Sequence, residues 1–253
     1  MIKSKKLSKF RAIEHFFFNK LDEKSNGIYK SLNYGSSSPY KKKKILKNLT
    51  LVEKKIKCGL NKIILLNQIH SNKFHYIDKA SKLNHKKFTG DALITNKSKT
   101  PIAVLTADCA PILIFDEKYK TIAAIHAGWK GAYKGIVKKV IKFMIKKGSS
   151  TKNITAVIGP CISLKNYEIK KDFIKKFIKK DPKNKIFFKK IVDKNYFNLN
   201  KYITYQLKSL NIKKVEVIKK DTFNIKNNFF SARRSIGHNE NDYGRNISVI
   251  MIN

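Results

Sequence analysis

Three features of the sequence predict an α/β (α+β) fold, a layered sandwich of mixed central β-sheets flanked by helices, as a single domain over residues 1–253. The centre of the chain carries short continuous apolar runs bounded by polar or turn residues, the pattern of strands buried on both faces. Longer segments with apolar residues at helical spacing stand among them. Strands and helices follow one another without strict βαβ alternation, which points to stacked layers. No repeat, long linker or shift in composition divides the chain, and 253 residues suffice to bury a large core.

The elements follow in order. Residues 14–18 predict a short strand. Residues 25–44 predict a loop rich in Ser, Asn, Gly and Lys, broken at Tyr34-Gly35-Ser36-Ser37-Ser38-Pro39, and residues 42–57 an amphipathic helix. An apolar, β-branched strand at 62–66 leads into Asn67-Gln68-Ile69-His70. A strand at 101–105 leads into Thr106-Ala107-Asp108-Cys109. Strands at 112–115 and 121–125 come next, the second leading into His126-Ala127-Gly128-Trp129. Residues 131–147 set Ile136, Val137, Val140, Ile141 and Met144 at helical spacing, with Gly148 as the stop. Beyond it, 154–158 predicts a strand ending at Gly159-Pro160-Cys161, 170–180 and 198–210 helices, and 215–218 and 247–252 strands.

Composition bounds the function. Hydrophobic residues make up 42% of the chain, as a folded globule requires. The net charge of +39 suggests a polyanion partner. The basic residues, however, are lysines scattered along every segment, apart from Arg11, Arg233, Arg234 and Arg245. Heavy use of Lys, Asn and Ile is the signature of AT-rich coding, so the charge reads as a solvated surface. No nucleic-acid motif accompanies it, and no specific nucleic-acid partner is expected. Three cysteines without CxxC spacing argue against a disulfide framework and a zinc finger. No apolar run approaches the ~20 residues of a membrane span, and residues 1–20 lack the apolar stretch of a signal peptide. A cytoplasmic protein, monomer or homodimer, is expected.

The candidate chemistry lies in three segments. His70, Cys109 and His126 each stand just past a predicted strand, so neighbouring strands of one sheet would bring them to one rim. Zinc accepts imidazole nitrogen and thiolate sulfur, and catalytic sites commonly use three protein ligands. A fourth thiolate is not evident, which favours a catalytic over a structural ion. Asp108, scarce as aspartate is here, reads either as a turn residue or as a group that orients a ligand or moves a proton. Gly90-Asp91-Ala92 is small and polar where backbone approaches a ligand. Gly128-Trp129-Lys130-Gly131 opens a helix, either to present N–H groups to an anion or only to pack tightly. Phe229-Phe230-Ser231-Ala232-Arg233-Arg234, followed by His238 and Asp242-Tyr243-Gly244-Arg245, joins aromatics that stack on a base to arginines that bind phosphate or carboxylate. HExxH, PCxxC, GxGxxG and Walker motifs are absent.

In order along the chain, Ser31-Leu32-Asn33-Tyr34-Gly35, Asn67-Gln68-Ile69-His70-Ser71, Gly90-Asp91-Ala92-Leu93-Ile94-Thr95, Ala107-Asp108-Cys109-Ala110-Pro111, His126-Ala127-Gly128-Trp129-Lys130-Gly131, Ile158-Gly159-Pro160-Cys161-Ile162 and the Phe229–Arg234 run resemble the laccase-domain family. That family is described as multicopper polyphenol oxidase, purine nucleoside phosphorylase and peptidoglycan editing factor. The resemblance runs from about Phe16 to the C-terminus. It implies a compact layered α/β fold and a zinc ion held by His70, Cys109 and His126. It further implies phosphorolysis of adenosine, inosine, guanosine and methylthioadenosine, with adenosine deamination as a side activity. Asn33, Cys161 and Arg233 would line the pocket. Asp108 and Cys161 are the catalytic candidates, and Gln68, Arg234 and Arg245 join Asn33 and Arg233 as substrate-binding candidates. Nucleoside and phosphate are the partners. Two departures stand out: Asp221-Thr222 replaces the Cys-Thr of many relatives, and the 235–245 link is longer than theirs. Copper fits less well than zinc, because several copper sites need more histidines than the six present. Two other functions compete: a hydrolase that edits a UDP-linked peptidoglycan precursor, and a non-enzymatic nucleic-acid binder.

Overall fold

The computed structural model describes residues 1–20, 42–59, 62–78 and 88–253, so Asn33 and most of the 25–44 loop lie outside the described residues. In chain order the elements are β1 (Ile13–Phe17), α1 (Lys42–Ile56), β2 (Leu66–Asn67), β3 (Phe74–Ile77), β4 (Phe88–Thr89), β5 (Ala92–Thr95), β6 (Ile102–Thr106), β7 (Ala110–Asp116), β8 (Thr121–Ala127), α2 (Trp129–Tyr133), α3 (Ile136–Lys146), β9 (Ile154–Ile158), β10 (Glu168–Ile169), α4 (Lys171–Lys180), β11 (Phe188–Ile191), β12 (Lys194–Phe197), α5 (Leu199–Ser209), β13 (Lys214–Val217), α6 (Ala232–Gly237) and β14 (Asn246–Ile252). A six-stranded mixed sheet in the order β13-β9-β7-β8-β5-β3 faces a three-stranded antiparallel sheet, β1-β14-β6. Two small sheets, β10-β12-β11 and β2-β4, sit beside them.

Side-chain alternation builds the layers. Successive residues of a strand point to opposite faces. Ile112 and Ile114 of β7 therefore join Val137, Val140 and Ile141 of α3 and Ile203 and Leu207 of α5 in one core. Leu113 and Phe115 of the same strand join Phe17, Val104 and Ile250 of the smaller sheet in a second. Phe16, Ala103 and Val249, on that sheet's other face, close against Val52 and Ile56 of α1 in a third. The order is helix, sheet, sheet, helix, and it explains the unbroken apolar runs of β7, β8 and β9, which are buried on both faces.

Two of the expected elements take another form, and β3, β5, β10, β11, β12 and α6 are elements that the sequence pattern did not predict. The helix predicted over 131–147 is two helices, because Gly135 between α2 and α3 takes a left-handed φ of 83° that any side chain would resist. The strand predicted at 62–66 keeps only a bridge between Ile64 and Ile102, and its ladder forms later, as β2. Among the described residues no helix is long and apolar enough to cross a membrane.

His15 of β1 is almost fully buried, and its Nε2 accepts the Ser4 N–H at 2.8 Å. Burial, with Lys3 adding repulsion, pulls its pKa from 6.5 to about 4. A histidine whose folded pKa is depressed contributes stability above its unfolded pKa and loses it as pH falls towards the folded value. Between pH 6.5 and 4 this group alone should remove about 3 kcal/mol. Urea unfolding of the wild type and His15→Gln across that range checks it: the variant, which cannot gain the proton, should lack this part of the slope.

Candidate metal centre and adjoining cavity

His70, Cys109 and His126 come together, as expected, at one rim of the six-stranded sheet: Cys109 directly precedes β7, His126 lies near the end of β8 opposite Pro111, and His70 stands just before β3. His70 follows β2 of a small sheet, Cys109 lies in the turn from β6 of the three-stranded sheet into β7, and His126 sits inside β8 of the six-stranded sheet. β2 and β6, which His70 and Cys109 follow, belong to other sheets, but β3 and β7, which they lead into, lie with β8 in one. Their donor atoms all lie within 4.8 Å of one another. Cys109 Sγ is 3.8 Å from His70 Nε2, and the two imidazole rings meet edge to face with centroids 4.7 Å apart. Donors around one tetrahedral zinc stand about 3.5 Å apart, so two imidazoles and a thiolate at these separations fit a single ion. Among the described residues this is the one such group of three or more His, Cys, Asp or Glu side chains.

Asp91 organises the group. It is fully buried, and its two carboxylate oxygens accept four hydrogen bonds: His70 N–H at 2.9 Å, Ser71 N–H at 2.6 Å, Ser71 Oγ–H at 2.6 Å and His126 Nδ1–H at 2.8 Å. Burial works to raise its pKa, but the bonds from His126 and Ser71 prevail and bring it to about 2. An ionised Asp91 fixes the His126 tautomer with its proton on Nδ1 and leaves Nε2 for an ion, the usual arrangement behind a ligating histidine. It also holds His70 at a left-handed φ of 56°, which is costly for a residue with a Cβ. Burial also opposes ionisation of Cys109, yet His126 and His70 outweigh it and draw the thiol down towards the thiolate that binds metal. In return Cys109 and Asp91 raise His126 against its own burial.

Asp108 lies beside Cys109 at a left-handed φ of 80°. Its carboxylate accepts from Thr222 Oγ1 at 2.6 Å, Ser231 Oγ at 2.9 Å and the Arg233 N–H at 2.7 Å. Burial still raises its pKa despite those donors. The bonds tie the Cys109 turn to the start of α6 and so place Arg233. Asp221, the residue that departs from the Cys-Thr pattern, accepts Ser163 N–H and Oγ–H and Asn166 Nδ2, and thereby pins the chain after Cys161. Cys161 is buried, its thiol donates to Asn200 Oδ1 at 3.1 Å, and burial pushes its pKa far up.

Gly128 is the N-cap of α2, and the helix begins against the cluster. A Cβ on Gly128 would stand 2.7 Å from Cys109 Sγ and 3.0 Å from His70 Cδ2. Its φ of −69° is open to any residue, so the requirement is space alone. With only five residues in α2, the tight-packing reading of this motif is the one the geometry favours.

A cavity of about 490 Å³ is lined by Trp129, three residues after His126 and directly after Gly128, and by Tyr167, Glu168, Ile169, Lys170, Phe173 and Arg233. Arg233 is the predicted substrate-binding residue found there. The others have different neighbours. Gln68 uses its whole amide on Leu105, donating to its carbonyl and accepting its N–H, both at 2.7 Å, which fastens the His70 segment to β6. Arg234 donates to the carbonyls of Thr222, Phe223 and Phe229. Arg245 packs over Tyr243 beside Asp242. Asp91 and Tyr167 had no role at the sequence level. Asp91 appears there only as part of a small, polar stretch, and Tyr167 carries no local signal at all.

Layered sheets with a His₂Cys cluster at one rim of the largest define an α/β protein with a site suited to a metal ion. The family described as multi-copper polyphenol oxidoreductase laccase matches residues 14–253, and the chain belongs to it. A Rickettsia conorii protein named purine nucleoside phosphorylase is 35% identical over 187 residues, 73% of this chain and 75% of its own. A Bacteroides thetaiotaomicron protein of the same name is 30% identical over 263 residues, 100% of this chain and 96% of its own. The solved structure of a Neisseria meningitidis protein matches with a TM-score of 0.83 at 26% identity, over 96% of this chain and 95% of that one. The hypothetical protein YfiH of Bacillus licheniformis matches at 0.86 and 25%, over 95% and 93%.

Proposed function

We propose that this chain is a zinc-dependent purine nucleoside phosphorylase. The observation that carries the reading is a His₂Cys cluster next to a cavity with aromatic walls and a free arginine edge; the names of the relatives support it. One cluster of two imidazoles and a thiolate suits a single zinc better than a set of coppers. His70, Cys109 and His126 would hold such an ion, which would supply Lewis acidity.

The rest of the work falls to the chain's own residues. Trp129 and Phe173, with ring centroids 4.8 Å apart, offer faces on which a purine stacks. Arg233 neutralises the incoming phosphate. Phosphate attacks C1′ of the ribose, the C1′–N bond breaks, and the base leaves with the electron pair and gains a proton, giving ribose 1-phosphate. Asp108, its oxygens already engaged by three donors, serves by placing Cys109 and Arg233. Gln68 and Arg234 serve as positioning residues for the same two segments. Asn33 and Cys161 are assigned to the substrate side from the family motifs, and adenosine deamination is assigned as a side activity.

The test is release of free base from adenosine and inosine, with and without phosphate, by wild type and His126→Ala. Phosphate-dependent release by the wild type, and a loss of both the ion and turnover in the variant, are expected. Turnover by a metal-free variant would overturn the reading, as would base release that ignores phosphate. Ammonia release from adenosine tests the side activity in the same samples.

A further inference from the structure

The cavity beside the cluster holds two polar groups that the fold leaves unused. Arg233 donates from Nη1 to the Glu168 carbonyl at 3.0 Å, and its other guanidinium donors meet no described residue. Arg234, one position on, has both terminal nitrogens bound to carbonyls. Tyr167 is half-buried in the lining. Its ring is fixed edge-on to Phe197, with centroids 5.7 Å apart, and lies 5.6 Å from the Arg233 guanidinium. No hydrogen bond to the Tyr167 hydroxyl is found among the described residues, it is not among the sealed side-chain atoms, and the residue lines the cavity.

Among the residues lining the cavity, Arg233 and Lys170 are the cations. Glu168 is the one acid in the lining, and its carboxylate is held by Lys194 Nζ at 3.0 Å. Lys170 is the N-cap of α4 at the same lip, and no side chain caps that first turn. A guanidinium with spare donors matches two oxygens of a tetrahedral oxyanion, and a neighbouring hydroxyl can donate to a third.

We propose that Tyr167 and Arg233 together form a phosphate-oxyanion subsite in this cavity, with Tyr167 as the residue that donates the third hydrogen bond. Burial holds the phenol above its ordinary range, so it remains a donor under working conditions. That the oxyanion is the co-substrate rests on the phosphorylase reading; the existence of the subsite does not.

Calorimetric titration of metal-loaded wild type, Tyr167→Phe and Arg233→Ala with inorganic phosphate, and separately with adenosine 5′-monophosphate, tests it. Phenylalanine keeps the ring against Phe197 and Arg233 and removes only the hydroxyl. Inorganic phosphate should bind the wild type, about 10-fold more weakly Tyr167→Phe, and more weakly still Arg233→Ala, from the usual strength of a hydrogen bond to a charged group. Metal content and Tm should stay unchanged, and the KM for phosphate should rise while that for nucleoside holds. If the nucleotide alone shows this dependence, the subsite stands and its oxyanion belongs to a nucleotide. If phosphate binds through these residues but no base is released from inosine, the subsite stands and the phosphorylase reading falls. Equal binding of both probes by wild type and Tyr167→Phe, or no binding of either by the wild type, overturns the proposal.

Discussion

Asp91→Asn should lower metal affinity by about 10–100-fold while leaving every first-contact ligand in place. The carboxylate accepts four hydrogen bonds and donates none. An amide offers one oxygen and one NH₂ group, and that NH₂ would face donors: His70 N–H and His126 Nδ1–H at one position, Ser71 N–H and Oγ–H at the other. Whichever way it turns, at least one buried donor loses its acceptor, at about 1–3 kcal/mol each. With the NH₂ at the oxygen they share, His70 would lose the contact that holds its left-handed backbone and His126 the partner that sets its tautomer; with it at the other, Ser71 would lose the bonds that fix the His70 segment. Metal titration of refolded variant and wild type, with Tm measured on the same samples, reads both effects. Wild-type affinity in Asp91→Asn would mean that the cluster positions itself.

Gly128→Ala should cut turnover by about 100-fold, the scale expected when a reacting group moves by about an ångström. The new methyl carbon would stand 2.7 Å from Cys109 Sγ and 3.0 Å from His70 Cδ2, closer than real Cβ contacts come, so one or both ligands must move. Backbone strain does not contribute, since alanine accepts the φ of −69°. The fold should survive, because the clash is confined to the mouth of the site, and circular dichroism should show an unchanged spectrum. Gly135→Ala provides the contrast: that position has nothing within 4 Å of a new Cβ but a φ of 83°. It should lose stability by about 1 kcal/mol and keep its metal.

Local pattern made much of this legible. The apolar runs that became β7, β8 and β9 are readable because strands buried on both faces need no polar alternation. The three ligands are readable because each interrupts or follows such a run. Which strands bring them together is not, since it depends on the order of strands in the sheet. The sequence suggested one rim, and the six-stranded sheet provides it, but through β3 and β7, which come after His70 and Cys109, and not through the strands before them. Asp91 shows the same limit. Its partners lie 20 to 35 residues away, and a carboxylate that accepts from a backbone N–H leaves no mark on the partner's identity. Tyr167 is further still from any local signal, because its neighbour Arg233 lies on α6. Arginine's scarcity pointed to the right segment but could not separate Arg233, which lines the cavity, from Arg234, whose donors are taken by carbonyls.

Metal content per chain, measured by mass spectrometry on the wild type and on His70→Ala, Cys109→Ala and His126→Ala, goes to the heart of the account. One equivalent of zinc in the wild type and well under a tenth of that in each variant is predicted, with all four proteins folded. A full equivalent retained by any single variant, or several equivalents of copper in the wild type, would contradict it.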